Sequence, residues 1–148
     1  YQRRVRGMSH IKLYQDECEK LCIPILPAII KQLETKPDIL DFQRNYIGDK
    51  QAIALASALK NYHPNQIKLP QNGIMNLGLR HVLATIEGTN ITSIDLSRND
   101  FSPSCVRDIC RVVINTPTLQ EVKVVQCQHL KPEHIRQIQD AFEKKIQM

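Results

Sequence analysis

The feature that most constrains this sequence is a repeat with a spacing of 27 residues. Asn45, Asn72 and Asn99 are separated by that distance, and Cys127 follows Asn99 after 28 residues. These four positions are termed the anchors. Apolar residues stand five and three positions before every anchor, which is the alternation of a β-strand with one buried face. They are Leu40 and Phe42, Ile67 and Leu69, Ile94 and Leu96, and Val122 and Val124.

A helical pattern follows each anchor. Four residues with the spacing i, i+3, i+4, i+7 lie on one face of a helix, and all but one of these residues are apolar. The sets are Ala52, Leu55, Ala56, Leu59; Leu79, Val82, Leu83, Ile86; Val106, Ile109, Cys110, Val113; and, with a shift of one residue, Ile135, Ile138, Gln139, Phe142. The pattern predicts four units of strand and helix, with the strands parallel.

The anchor itself is expected to complete the turn from strand to helix. Such a turn leaves backbone N–H and C=O groups inside the chain without ladder partners, and an inward Asn has both a donor and an acceptor for them. After Asn99, Ser102 is expected to cap the next helix, with Pro103 at its first position. Asp49 and Asn76 stand in similar positions for the first two repeat helices.

The units resemble the leucine-rich repeat family, whose pattern is L-x-x-L-x-L-x-x-N/C-x-L. The matching stretches are "LDFQRNYI", "IKLPQNGI", "IDLSRNDF" and "LQEVKVVQCQHL". The unit length and the full helix in each unit resemble the ribonuclease-inhibitor-like subclass. The resemblance covers residues 37–148, although Pro37 and Pro64 replace an apolar residue at the start of two units. It implies an α/β solenoid, a short horseshoe arc with parallel inner strands and outer helices.

The residues before the first unit follow a different pattern. The stretch "LPAIIKQLE" repeats the helical face, and an earlier helical stripe from Ile11 to Ile25 stands where a strand would otherwise lie. We predict that residues 9–36 form a helical N-terminal cap, because a terminal repeat exposes its stacking face without one. Residues 1–8 are expected to be a flexible basic lead-in. The rest, residues 9–148, is expected to form a single leucine-rich-repeat domain, with four repeats and a terminal helix in residues 37–148.

Composition limits the classes of function. The chain has 148 residues and a formal charge of +5, and three of its cations, Arg3, Arg4 and Arg6, precede any periodic pattern, so support for nucleic-acid binding is weak. No apolar run approaches the ~20 residues of a membrane span, and no secretion signal is visible. The five cysteines are odd in number and mostly fall at apolar positions, which favours a reducing compartment. We expect an intracellular protein, cytoplasmic or cytoskeletal, with a nuclear location still open.

No arrangement of residues points to catalysis, a cofactor or a metal. Cys18 and Cys22 are four residues apart on a predicted helix, but no second pair of cysteines or histidines stands at ligand spacing. The histidines have no nucleophile or acid beside them in the predicted elements. The sequence therefore predicts that the protein is not an enzyme.

Two surfaces remain as candidate binding sites. The first, termed the charged strip, lies on the outward face of the strands and their turns, the expected concave face: Asp41, Arg44, Lys68, Asp95 and Arg98. Neighbouring opposite charges there either satisfy one another or form a recognition surface. The second, termed the edge site, combines the last strand, which would be an open edge, with the last helix: Glu121, Lys123, Val125 and Arg136. The edge site is slightly favoured, as an acceptor of a strand or helix from a partner or from a second copy.

The family resemblance implies a protein-interaction module within a larger scaffold. The beginning of the chain also resembles some centrosomal and ciliary leucine-rich-repeat proteins. Three alternatives stay open: an actin-filament capping domain similar to the carboxy-terminal domain of tropomodulin, a regulator of a small GTPase acting through Arg44 or Arg98, and nucleic-acid binding through the basic arm. The terminal helix also carries Lys144 and Lys145, which would favour an acidic partner.

Overall fold

The computed structural model describes residues 9–43 and 45–148. The predicted basic lead-in and Arg44 therefore lie outside the described residues. Four short strands form one parallel sheet in the order β1-β2-β3-β4. Their bounds are Ile39–Asp41 (β1), Gln66–Lys68 (β2), Ser93–Asp95 (β3) and Glu121–Lys123 (β4). The register pairs equivalent positions of successive units, as in Leu40 with Ile67 and Ile67 with Ile94.

Six helices are present in the described part of the chain. Their bounds are His10–Lys20 (α1), Pro27–Thr35 (α2), Gly48–Ala58 (α3), Asn76–Ile86 (α4), Cys105–Asn115 (α5) and Pro132–Ile146 (α6). Helices α3 to α6 each follow one strand, and each of them packs against the helix of a neighbouring unit. The predicted α/β class, with a parallel four-stranded sheet, is confirmed.

One hydrophobic cluster joins the strands to the helices. The inward strand residues Leu40, Ile67 and Ile94 are fully buried, as are the helical residues Leu55 and Val113. The cluster extends without interruption from Tyr14 in α1 to Ala141 in α6. Because each buried side chain removes apolar surface from water, this stacking of units is the main favourable term in folding.

Two of the three asparagine anchors lie inside the turns. The Oδ1 atom of Asn99 accepts the backbone N–H groups of Asn72 and Ile74, each at 3.0 Å, and its Nδ2 donates to the carbonyls of Leu69 and Leu96. Asn72 makes the equivalent contacts one unit earlier, with its Nδ2 2.8 Å from the carbonyl oxygen of Phe42. The fourth anchor, Cys127, is buried and its Sγ donates to the carbonyl of Leu96 at 3.4 Å.

The first anchor differs from the prediction. Asn45 is exposed, and it is its backbone N–H that makes a contact, donating to Oδ1 of Asn72 at 3.1 Å. The physical reason is positional. Each buried asparagine bonds backbone groups of the unit before its own. Asn45 belongs to the unit of β1, and no strand precedes β1 within the described residues. The same residue type, asparagine, therefore has a different role in the first unit than in the two units that follow.

The predicted helix caps also act differently. Helix α5 begins at Cys105, and Ser102 does not cap it. Instead, Asn76 of the preceding helix accepts the N–H of Ser102 through Oδ1 at 3.0 Å. Asp49 does the same one unit earlier, accepting the N–H of Met75 at 2.6 Å. Polar residues at these helix starts therefore satisfy backbone donors of the following unit instead of those of their own helix.

The close approach of α3 and α4 depends on a glycine. A Cβ at Gly78 would lie 2.6 Å from Oδ1 of Asp49 and 3.1 Å from Cβ of Ala52, both inside normal contact distance. Gly78 therefore lets α4 approach α3 closely enough for Asp49 to accept the backbone N–H of Met75.

The N-terminal helices are arranged differently from the predicted order. Helix α1, predicted to stand where a strand would lie, packs against α3 in the helix layer. Its Tyr14 is fully buried, donates its hydroxyl to Oε1 of Gln51 in α3 at 2.8 Å, and accepts the N–H of Leu26 at 3.0 Å. This buried network ties both α1 and the start of α2 to the first repeat helix.

Helix α2 covers the outer edge of β1 through one side chain. The amide of Gln32 donates to the carbonyl oxygen of Asp41 and accepts the N–H of Asp41 at 2.9 Å. A glutamine amide thus replaces the peptide group of a neighbouring strand. The outer edge of β1 is therefore covered at Asp41, which limits pairing with other chains there.

Replacing Gln32 with alanine is expected to lower the free energy of unfolding by about 1 kcal/mol, because two half-buried backbone groups lose their partners. Denaturant unfolding measures this directly. Lys31→Ala is the matched control, since Lys31 lies on the same helix, is exposed, and should change stability by less than about 0.5 kcal/mol. Equal effects of the two changes would show that Gln32 does not hold the edge.

Within the described residues, no helix is both long enough and apolar enough to cross a lipid bilayer.

Candidate functional site

The strands align three residues of the charged strip with one another and with Lys123 of the edge site, in one row across the sheet. Asp41 pairs with Lys68, Lys68 with Asp95, and Asp95 with Lys123 in the parallel register. Opposite charges are therefore adjacent along the sheet face, at the strand separation of about 4.8 Å.

These adjacent charges do not neutralise one another. Among the described residues, no ion pair within 4.0 Å joins members of this row. The carboxylates turn to their own chain instead: Asp41 accepts the N–H of Gln43 at 3.1 Å and Asp95 accepts the N–H of Ser97 at 3.0 Å. This geometry is the Asx turn that ends each of these strands. The side chains of Lys68 and Lys123 remain available, which the interpretation as a self-satisfied ladder did not anticipate.

Arg98, the arginine of the charged strip within the described residues, bonds a neighbouring side chain. Arg98 is exposed and its backbone is in the left-handed region, with φ at 59°. Its Nε donates to Oε1 of Gln126 at 2.7 Å. Its guanidinium therefore links two neighbouring turns, and Arg44, its counterpart in the first unit, lies outside the described residues.

The four residues of the edge site meet around one groove. The groove has a volume of about 640 Å³ and lies between β4 and α6. Glu121, Lys123 and Val125 line its strand side and Arg136 lines its helix side. The side chain of Val125 is 60% exposed, which is high for a valine and leaves apolar surface at the strand end.

The strand side of the groove is an unpaired edge of the sheet. The carbonyls of Lys123 and Val125 accept the N–H groups of Leu96 and Arg98, at 2.8 and 3.0 Å, so these two residues direct their backbone toward β3. In a strand, successive residues direct their N–H and C=O groups to opposite sides. Those of Val122 and Val124 therefore point toward the open groove, where no further strand is described. The last strand thus offers a template for an extended chain.

The sequence did not indicate Leu130 and Ile135, which also line the groove, as part of the site. Both are partly buried apolar residues that continue the core to the surface. The helical spacing placed Ile135 in the core face, and in the structure part of that face lines the groove. The sequence also gave no sign of Gln32, because a glutamine in a helix has no pattern that marks it as a strand partner.

Lys145 is not available to an acidic partner, contrary to the expectation for the basic terminal helix. Its Nζ donates to the carbonyls of Thr116 and Leu119 at 3.0 and 2.5 Å, and it lies 5.1 Å from the ring centroid of Phe142. Partial burial lowers the pKa of this ammonium group below its usual value. Lys145 holds the segment that follows α5, while Lys144 stays exposed.

Four of the five cysteines are buried or partly buried, and Cys22 is exposed. All five are free, and burial raises the pKa of the thiols of Cys18, Cys105, Cys110 and Cys127. A protonated thiol is a weak nucleophile and a poor metal ligand. In residues 9–43 and 45–148, no group of three or more ligating side chains is positioned to hold a metal ion.

Comparison with known proteins identifies a similar solved structure but no family. No model of a protein family matches the chain, and no curated protein matches it. Among solved structures, the chain is similar to the tropomodulin C-terminal domain of Caenorhabditis elegans, with 13% sequence identity over 81% of this chain and 92% of that one, and a TM-score of 0.47. Neither the fold nor the function assigned to the chain depends on that match.

Proposed function

We propose that this chain is a non-catalytic protein-interaction module, a short leucine-rich-repeat arc within a larger intracellular scaffold, and that it binds its partner at the edge site. The observation that carries the proposal is the contrast between the two ends of the sheet. At β1, Gln32 bonds both backbone groups of Asp41. At β4, the backbone groups of Val122 and Val124 face the groove between β4 and α6.

Strand addition at an open edge is a common way to recognise an extended segment. Main-chain hydrogen bonds supply affinity, and pockets beside the strand select side chains. The groove beside β4 supplies apolar contacts through Leu130 and Ile135, and polar contacts through Lys123 and Arg136. A partner segment that pairs with Val122 and Val124 would therefore find both kinds of contact in one place.

The assignment to a leucine-rich-repeat arc rests on the repeat itself. Successive strands pair at equivalent positions 27 or 28 residues apart, and Asn72 and Asn99 bond the turn of the preceding unit in the same way. A stack in which each unit contacts its neighbours is the organisation of solenoid proteins, which act by presenting extended surfaces.

The non-catalytic assignment is supported by what the buried and half-buried histidines contact. His10 bonds the carbonyl oxygen of Leu33, and His134 accepts the N–H of Lys131 through Nδ1 at 2.9 Å. Both imidazoles hold helix ends, where they satisfy backbone groups. They are therefore structural in this arrangement.

The three alternative functions gain no specific support. A regulator of a small GTPase would use Arg44 or Arg98, and Arg98 is engaged with Gln126. The actin-capping alternative relies on a basic terminal helix. In α6, Lys145 already donates to the carbonyls of Thr116 and Leu119 within the chain. The basic arm that would bind nucleic acid lies outside the described residues.

The proposal is tested by capturing partners from cell extract with two variants of equal design. The edge variant, Val125→Lys with Arg136→Glu, is expected to reduce recovery of the partner at least about tenfold, because it places charge in the groove and removes a cation. The strip variant, Asp41→Lys with Lys68→Glu, reverses two charges on the strands farthest from the edge site and should leave recovery unchanged. Loss with the strip variant alone would move the binding site to the charged strip and contradict the proposal.

A further inference from the structure

We propose that the segment bound at the edge site is the β4 strand of a second copy of this chain, paired antiparallel about Val122. This inference rests on the proposed function, because it names the partner of the same site. It follows from the order of residues in β4 and from which backbone groups that strand leaves open.

The open backbone groups fit a twofold arrangement. With Val122 opposite the partner's Val122, each N–H faces the other's C=O, which gives two hydrogen bonds. The N–H of Val124 then faces the C=O of the partner's Gln120, and the symmetric contact gives two more. The N–H of Gln120 is not needed, since it already donates to the carbonyl of Thr92 at 2.8 Å. Four hydrogen bonds thus use groups that have no ladder partner within one chain.

The same register matches the charges. It places Glu121 opposite the partner's Lys123, and Lys123 opposite the partner's Glu121. These are positions between the hydrogen-bonded pairs, where side chains of antiparallel strands come closest. Both side chains are exposed, and Glu121 already lies over the sheet face, where Oγ of Ser93 donates to it at 3.1 Å. Two opposite-charge pairs are therefore formed without a change in the strand.

Neighbouring registers are less suitable. Pairing about Lys123 would place Lys123 directly opposite the partner's Lys123, and like charges in that position are destabilising. Pairing about Val124 would require Gln126 to extend the strand, but Gln126 has φ at 56°, in the left-handed region, so the strand has already ended there. The register about Val122 combines free backbone groups, strand length and charge.

The helices are compatible with this pairing. A twofold axis normal to the sheet keeps both copies' helices on the same face, so the two chains would continue one sheet and one helix layer. Helix α6 and the groove residues Leu130 and Ile135 would then face their equivalents. At the β1 edges, Gln32 occupies the outward backbone groups of Asp41, which disfavours the addition of further copies there.

Sedimentation equilibrium on the whole chain, across micromolar to millimolar concentrations, tests the proposal. A dimer is expected. Glu121→Lys alone and Lys123→Glu alone should each weaken self-association at least about tenfold, because each puts like charges opposite one another at two symmetric positions. Lys68→Glu is the matched control, since Lys68 lies on the same sheet face away from β4, and it should leave the dimer unchanged.

Mixing the two single variants provides the decisive comparison. Glu121→Lys presents two cations and Lys123→Glu presents two anions, so each should dimerise with the other better than with itself. The double variant carrying both changes should recover the dimer, which excludes a simple loss of folding. A chain that stays monomeric, or a dimer insensitive to both reversals, would overturn this inference. If the chain is monomeric but partner capture still requires the edge site, the proposed function stands and only the second copy is excluded.

Discussion

Replacing Asn99 with alanine is expected to lower the free energy of unfolding by about 3 kcal/mol, the largest effect of any single polar change described above. The side chain is 2% exposed and serves five backbone groups, those of Asn72, Ile74, Leu69, Leu96 and Ser97. Water does not reach these groups in the folded chain, and each buried group left without a partner costs about 1–3 kcal/mol. Partial relaxation of the turn keeps the total below the sum.

Asn45 and Asn72 provide the internal comparison. Asn72→Ala should cost about 1–3 kcal/mol, since its side chain is 1% exposed and bonds the turn before it. Asn45→Ala should change stability by less than about 0.5 kcal/mol, because its side chain is exposed. Denaturant unfolding with unchanged m-values measures all three variants. Similar losses at the three positions would contradict the assignment of the bonds to the buried amides.

Raising the pH above 9 is expected to destabilise the protein steeply. Burial raises the pKa of the Cys105 thiol from 9.0 to about 12 and that of the Tyr62 hydroxyl from 10.0 to about 12. Burial also raises the pKa of Tyr14. In the unfolded chain these groups lose their protons at ordinary values, whereas the folded chain keeps them bound.

The sign of the effect follows from proton binding. Above the unfolded pKa the folded state holds more protons than the unfolded state, so the free energy of unfolding falls as pH rises. Each group contributes about 1.4 kcal/mol per pH unit, from Cys105 above pH 9 and from the tyrosines above pH 10, until its folded pKa is reached. Below pH 9 these groups add no slope.

Urea unfolding at pH 8, 9, 10 and 11 measures this dependence. The variant Cys105→Ala removes one of the buried acids, so its stability should fall less steeply above pH 9 than that of the unaltered chain. Cys22→Ala is the control for removing a thiol from the exposed surface. A flat profile up to pH 11, or the same slope in Cys105→Ala, would show that burial does not hold these protons.

Much of the fold followed from the sequence because it depends on repeated local patterns. The alternation before each anchor and the helical spacing after it depend on which residues are apolar, and Leu40, Ile67 and Ile94 align in the sheet as their spacing required. The failures lie where a contact joins two units. Ser102 has the chemistry of a helix cap, but its N–H is taken by Asn76 from the preceding helix. A single sequence gives no sign of such a choice.

The candidate site was predictable only in outline. The position of Val125 in the strand pattern indicated an outward side chain, and the last unit indicated an open edge. The pattern did not show that Asp41 and Asp95 would turn to their own backbone and leave Lys68 without an ion pair among the described residues. That outcome depends on turn geometry, where a backbone N–H two residues away competes with a lysine on the next strand.

The forward bonds from Asp49 to Met75 and from Asn76 to Ser102 also bear on how the chain comes apart. Each bond crosses from one unit to the next, and Asn72 and Asn99 bond in the opposite direction. Neighbouring units are therefore coupled twice, so the stability of one depends on whether the next is folded. We therefore expect the described units to melt cooperatively, in a single transition.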